Sequence, residues 1–428
     1  MKKFLLALTA TLFSVALFAQ STSSAAPGKT LKEGAPAAAG FSSERLARID
    51  KMLQEYVDKK WTAGGSAIIV RNGSIVYYKG FGYDDIATKK AEKKDAIFRI
   101  ASQTKAITSV AIMMLYEQGK FQLDDPVSNY IPEFKHPKVL DKFNEKDTTY
   151  TTVPAKREIT IRDLLTHTSG IAYAQIGTKE SNAIYYKNGI WAGIGVDKIV
   201  LADKMKILGA MPLLHQPGEK WTYGLNTDLL GYLVEVVSGM NLADYFRTNI
   251  FEPLGMKDTY FYLPKDKQSR LATLYAEDST AHVVKMDEFV DLNGKMYRDY
   301  PDMAGTYYSG GGGLSSTAYD YAIFMQMMLN GGEYNGKHIL SRNSVRLMTQ
   351  NQVGDLAEFG LGFGIVTDKS APKNTASVGT FSWGGMFSSS YWIDPKEKIV
   401  AQLFLNQFPN SHGEIHNKFK ALVYQALE

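Results

Sequence analysis

The chain has 428 residues, 45% hydrophobic and 21% charged, enough apolar material for one large core or two closely packed domains and too much for a disordered chain. Its formal charge of +4, or +2 without Lys2 and Lys3, argues against a nucleic-acid-binding surface. Cysteine is absent, which excludes a Cys nucleophile, a thiolate metal site, disulfides and a lipid-modified N-terminal Cys.

Lys2 and Lys3 precede an apolar run from Phe4 to Phe18, followed by small residues at Ala19, Ala25 and Ala26, the pattern of a secretory signal peptide. The run is about 15 residues against the roughly 20 that span a bilayer. Residues 1–26 are therefore expected to be leader and linker, the protein exported to the periplasm or secreted, with no stable membrane insertion after cleavage. Ser42 to Lys59 carries Leu46, Ile49, Leu53 and Tyr56 at helical spacing. Ser66 to Val70 and Ile75 to Tyr78 are β-rich runs joined at Asn72-Gly73, a dipeptide suited to a tight hairpin, so the sheet starts antiparallel. From Thr104 to Gln118 the pattern is helical and apolar on several sides, as expected of a core helix, with Gly119 as a stop.

Further helices are expected at Ile161 to Leu165, Asp228 to Val237 and Leu242 to Ile250, between polar insertions. Thr317-Ala318-Tyr319-Asp320 has the form of a capping box before a helix through Met328 that ends at Gly331-Gly332. Gly362 to Val366, Ser388 to Trp392 and Ile399 to Leu405 are β-like, and Glu414 to Leu427 is a last amphipathic helix. Strands at both ends with helices between them predict an α/β (α+β) fold. Its antiparallel sheet is built from both chain ends (27–101 and 300–428) and flanked by helices, around an inserted, mainly helical part (102–299).

Ser-x-x-Lys places two side chains on one helical face, and a Lys in a desolvated pocket can take the proton that an attacking Ser must lose. The pattern occurs at Ser102-Gln103-Thr104-Lys105 and at Ser370-Ala371-Pro372-Lys373. Pro372 lies in a polar loop, whereas Ser102 follows the β-like Ile97 to Ile100 and opens the most apolar helix, where backbone N–H groups can meet an oxyanion. Alone, Ser102 would read as a helix N-cap; a Lys one turn into a buried helix tips the balance to chemistry.

Phe98 to Lys105 resembles the nucleophile segment of serine β-lactamases and penicillin-binding proteins, whose first motif is Ser-x-x-Lys. Leu164 to Gly170, Phe251 to Met256 and the Gly310 to Leu314 run before Ser315-Ser316 agree, in order, with the class C β-lactamase-like branch, which includes family VIII carboxylesterases and D-alanyl-D-alanine carboxypeptidases. The resemblance covers roughly residues 40–428 and implies that a Tyr of a Tyr-x-Asn motif shares the proton work. Tyr186-Lys187-Asn188 has the letters, but Tyr223, after Pro217-Gly218 and Trp221 and before Leu229-Leu230-Gly231, has the family's surroundings. Tyr223 is preferred, with Leu225 and Asn226 in the altered remainder of the motif and expected at the substrate.

The family's third motif, Lys-Thr-Gly, has its counterpart in Trp383-Gly384-Gly385, expected to line the substrate, and the N–H groups of Ser102 and Met386 would by resemblance form the oxyanion hole. Trp in place of Lys removes a cation for a substrate carboxylate and adds an apolar wall, which favours neutral esters over anionic lactams or D-Ala-D-Ala peptides. The expected reaction is thus ester hydrolysis through an acyl-enzyme on Ser102, acting on a small-molecule ester, lactam or peptide. A β-lactamase or D-alanyl-D-alanine carboxypeptidase is the alternative, and a catalytically silent binding protein of the same fold the second alternative. No Gly-x-Ser-x-Gly elbow is present, His167 reads as a structural turn residue, and no third ligand accompanies His412 and His416, so no metal or cofactor is expected. The Gly310 to Gly313 run lacks a following Gly-Lys-Ser/Thr, so close backbone packing beside the site is expected rather than phosphate binding.

Overall fold

The computed structural model describes residues 30–190, 194, 199–286 and 299–428. The expected leader and its cleavage site lie outside them. Helix α1 (Ser43–Asp58) starts at Ser42, whose hydroxyl accepts the Arg45 N–H. Strands β1 (Gly64–Arg71) and β2 (Ser74–Asp85) then form the anticipated hairpin, with Asn72 and Gly73 both at positive φ, 52° and 78°. Helix α2 (Thr104–Glu117) and helix α3 (Asn226–Ser238) make the central helical pair. Helix α4 (Ala318–Leu329) is capped by Thr317, which accepts the Asp320 N–H. The chain closes with strands β3 (Phe381–Gly385), β4 (Ser389–Asp394) and β5 (Ile399–Phe404) and helix α5 (Glu414–Gln425).

The main sheet runs β2-β1-β5-β4-β3, antiparallel throughout, with Lys32–Glu33 added parallel at one edge and Gly364–Ile365 antiparallel at the other. The β1–β5 pairing joins the chain ends, from Ile399 opposite Arg71 to Phe404 opposite Ser66. Side chains alternate across the sheet. Ala67, Ile69, Trp392, Ala401 and Leu403 pack on one face under α1 and α5, and Ile68, Val70, Tyr391, Ile393, Val400 and Phe404 join the large core with α2, α3 and α4 on the other. Among the described residues no helix is long and apolar enough to cross a membrane.

Three local expectations need correction. The middle of the chain also carries two hairpins, Lys138–Phe143 with Tyr150–Pro154 and Tyr275–Glu277 with Val283–Lys285, whose largely exposed or mixed faces give no clear apolar period. The helix expected over Leu242 to Ile250 is α-helical only over Leu242–Phe246 and widens into a π-turn at Arg247–Phe251, just ahead of Pro253, which has no N–H to continue the regular ladder. Of Gly362 to Val366 only Gly364–Ile365 pairs in the sheet, because Gly362 turns the chain at φ 94°.

Candidate active site

Ser102 sits in a single 3-10 turn, Ala101–Gln103, that leads into α2. Ala101 adopts φ 42°, a left-handed conformation that costs a residue with a Cβ free energy. Long-range contacts hold the turn there: Ile100 N–H donates to Leu314 O (3.1 Å), Leu314 N–H to Thr104 Oγ1 (3.0 Å) and the Tyr321 hydroxyl to Gln103 O (2.9 Å). Gly385, at the end of β3, lets the sheet edge abut this turn; a Cβ there would overlap the Ile100 carbonyl oxygen. Ser102, Trp383, Gly384, Gly385 and Met386 consequently line one cleft.

Lys105 is 2% exposed. Its Nζ donates to Gly311 O (2.5 Å), Tyr173 Oη (3.0 Å) and Ser102 Oγ (3.2 Å), and lies 4.7 Å from the Tyr223 ring centroid. The Tyr223 hydroxyl donates to Ser102 Oγ at 2.8 Å across 121 residues of sequence. One hydroxyl oxygen is therefore bracketed by an amine and a phenol, so its proton has two neighbouring groups through which to leave. Tyr186, with the better motif letters, is 48% exposed on Lys179–Lys187, outside this arrangement. Ser370 precedes and Lys373 ends a short 3-10 turn, Ala371–Lys373, with Lys373 exposed.

Leu225 and Asn226 require correction: both are fully buried and do not line the cleft. They build the support beneath Tyr223. Leu225 N–H donates to Ala172 O (3.2 Å), while Asn226 accepts from Ser169 Oγ (2.5 Å) and donates to His167 Nδ1 (2.9 Å). Asn226 opens α3, one residue later than a Tyr-x-Asn spacing would place an Asn, and its side chain lies in the protein interior. Burial, then the Lys105 charge, holds His167 well below its usual imidazole range, so the ring is neutral and accepts at Nδ1. His167 packs on Tyr223 (5.0 Å), Trp221 (5.8 Å) and Phe359 (5.6 Å) and fixes the phenol's angle.

The cleft is open, about 810 Å³, and Ile176, Phe408, Ser388, Ser390 and His416 extend its lining. Among the described residues no charged side chain lines it. Trp383 stands 5.6 Å from Tyr223 and 5.3 Å from Phe359, completing an aromatic wall. His416 Nδ1 meets Ser390 Oγ at 2.8 Å, and burial lowers its pKa to about 4, so it too is neutral. His412 stacks on Trp61 at 4.3 Å, and among the described residues no cluster of three His, Asp or Glu could hold a metal. A larger groove of about 1010 Å³ over Tyr260–Leu263 contains none of these groups.

Sequence reading missed Tyr173, Asp228 and the Gly311 carbonyl. Nothing local distinguishes Tyr173 among 25 tyrosines, and the Gly310 to Gly313 run showed only that backbone would come close to something.

The family model described as Beta-lactamase matches residues 49–425. Protein Rv1367c of Mycobacterium tuberculosis is 32% identical over 84% of this chain and 89% of its own length, and Esterase EstB of Burkholderia gladioli 29% over 84% and 90%. Among solved structures, EstCE1, described as a hydrolase with promiscuous acyltransferase activity, superposes with a TM-score of 0.76 at 28% identity, covering 89% of this chain and 99% of that one. A penicillin-binding protein homologue from Pyrococcus abyssi shares the fold, with a TM-score of 0.63 at 22% identity. The matched span takes in the Ser102, Lys105 and Tyr223 cluster and the sheet edge beside it, and the chain belongs to the β-lactamase family of serine hydrolases.

Proposed function

We propose that the protein hydrolyses neutral carboxylic esters through an acyl-enzyme on Ser102. The observation that carries this reading is the pair of hydrogen bonds received by Ser102 Oγ, from Tyr223 at 2.8 Å and from Lys105 at 3.2 Å. Ser102 Oγ attacks the ester carbonyl as Lys105, with Tyr223, takes its proton. The oxyanion so formed is met by the N–H groups of Ser102 and Met386. Ser102 lies in the opening turn of a helical segment, where amides lack a preceding carbonyl partner. Collapse breaks the ester C–O bond, and the leaving alkoxide receives the proton through Tyr223. A water then adds to the acyl carbonyl, its proton following the same route in reverse, and Ser102 is restored.

The Trp383 wall and the absence, among the described residues, of a charged side chain lining the cleft support an ester over an anionic lactam or peptide, whose carboxylate would find no cation there to pair with. The name of Esterase EstB points the same way. A β-lactamase or carboxypeptidase is the second reading, since the nucleophile, amine and phenol would serve it equally. The leader read in residues 1–26 supports export.

The test compares p-nitrophenyl butyrate with nitrocefin and labels the protein with a fluorophosphonate. The ester is expected to turn over faster, and Ser102→Ala to lose both turnover and label. Undiminished ester hydrolysis by Ser102→Ala would remove the assignment.

A further inference from the structure

Behind Lys105 lies a carboxylate that the proposed reaction does not use. Asp228, in the first turn of α3, is 1% exposed. Its Oδ1 accepts from Ser309 Oγ (2.5 Å) and from the Gly311 N–H (3.3 Å), while its enclosed Oδ2 has no hydrogen-bond partner among the described residues. The Gly311 carbonyl, at the other end of the same residue, accepts from Lys105 Nζ at 2.5 Å. Gly311 is thus held by a carboxylate at its N–H and by an amine at its C=O. A Cβ on Gly311 would overlap Asp228 Oδ2, and one on Gly310 would come within 2.6 Å of Thr227 O, so glycine is needed for this backbone to lie against α3.

We propose that Asp228 is the positioning residue of Lys105: through Gly311 and through its own charge it keeps the amine aimed at Ser102 Oγ. This rests on the acyl-enzyme reading. A carboxylate as buried as Asp228, with one oxygen unbonded, is costly unless an opposite charge is near. Burial raises its proton affinity, and the first influence opposing that is the Lys105 ammonium. The groups facing the pair are Tyr173, Tyr223 and Tyr307, with His167 beyond Lys105. Burial pushes the Tyr173 and Tyr307 phenols up and His167 down, so these three stay neutral at ordinary pH. Asp228 and Lys105 therefore act on each other without a competing charge from those three.

The role can be read in kinetics on p-nitrophenyl butyrate. Asp228→Asn keeps the shape and removes the charge. The slackened aim of Nζ should lower the plateau kcat by about tenfold to a hundredfold, with KM within about threefold. Wild-type kcat in Asp228→Asn, or a loss that falls on KM as much as on kcat, overturns the proposal, because a purely structural role would not confine the loss to kcat. If Asp228→Asn fails to fold, Gly311→Ala serves: it leaves both charges and displaces the carbonyl, and must lower kcat with KM retained. Wild-type kcat in Gly311→Ala would then overturn the proposal. Absence of ester turnover and of Ser102 labelling in the wild-type protein would instead sink the acyl-enzyme reading itself.

Discussion

Gly385→Ala probes whether the edge of the sheet sets the geometry of the oxyanion site. Gly385 has no positive φ, so an added methyl imposes no backbone strain of its own, and the effect is one of contact. The new Cβ would overlap the Ile100 carbonyl oxygen and lie 3.1 Å from its carbon and 2.5 Å from Ser389 Oγ. The serine can rotate; the carbonyl cannot, because the Ile100 amide is tied to Leu314 and its carbonyl accepts from the Gln103 N–H at 3.0 Å. Relief requires β3 to withdraw from the nucleophile turn by about 1 Å, a displacement that at a reacting centre costs about 10²-fold in rate. Loss of one oxyanion donor costs about 10²–10³-fold, or roughly 3–4 kcal/mol of transition-state stabilisation, so kcat on p-nitrophenyl butyrate should fall by about two orders of magnitude. Gly364→Ala, on the neighbouring strand, is the control: the nearest atoms to its Cβ are Ser382 O and the Trp383 ring, at 3.5 Å, an ordinary contact. Wild-type kcat in Gly385→Ala, or equal losses in both variants, would refute the reasoning.

Tyr223→Phe removes the hydroxyl that reaches Ser102 and keeps a ring packed on Trp221, His167 and Trp383. Its kcat/KM should drop by about 10²–10⁴-fold with the melting temperature little changed; wild-type kcat/KM would exclude Tyr223 from the proton path. His416, partly buried beside Ser390, makes a contribution of definite sign to the pH dependence of stability. The unfolded imidazole binds a proton near 6.5 and the folded one only near about 4, so the unfolded chain gains protons first. His416 then costs nothing above the unfolded value, and stability is lost as pH falls from there toward the folded value. The loss amounts to at most about 2 kcal/mol by pH 5. Thermal melts at pH 7 and pH 5 should show a smaller drop for His416→Gln than for the natural chain, and parallel drops would contradict the assignment.

Local chemistry made much of this protein legible in its sequence. Asn72-Gly73 supplies the positive φ of a tight hairpin wherever it occurs between strands, and the apolar spacing of Thr104 to Gln118 forces a buried helix regardless of what covers it. Ser102 and Lys105 share a helical face by their spacing alone, and the resemblance chose Tyr223 over Tyr186 from flanking residues. That same resemblance placed Leu225 and Asn226 beside the substrate, because a motif records spacing and not where a helix begins; α3 starts at Asn226 and turns both positions inward.

The sequence by itself determined the β1–β2 hairpin, the core helices and the spacing that puts Ser102 and Lys105 on one helical face, since each depends on residues within a turn or two of one another. The tertiary structure decided what surrounds them. Tyr173 joins Lys105 from 68 residues away, the Gly311 carbonyl from 206, and Gly385 meets Ile100 across the whole inserted region. Those contacts follow from how α2, α3 and the sheet edge pack, and packing is a property of all the side chains together, which no local pattern encodes.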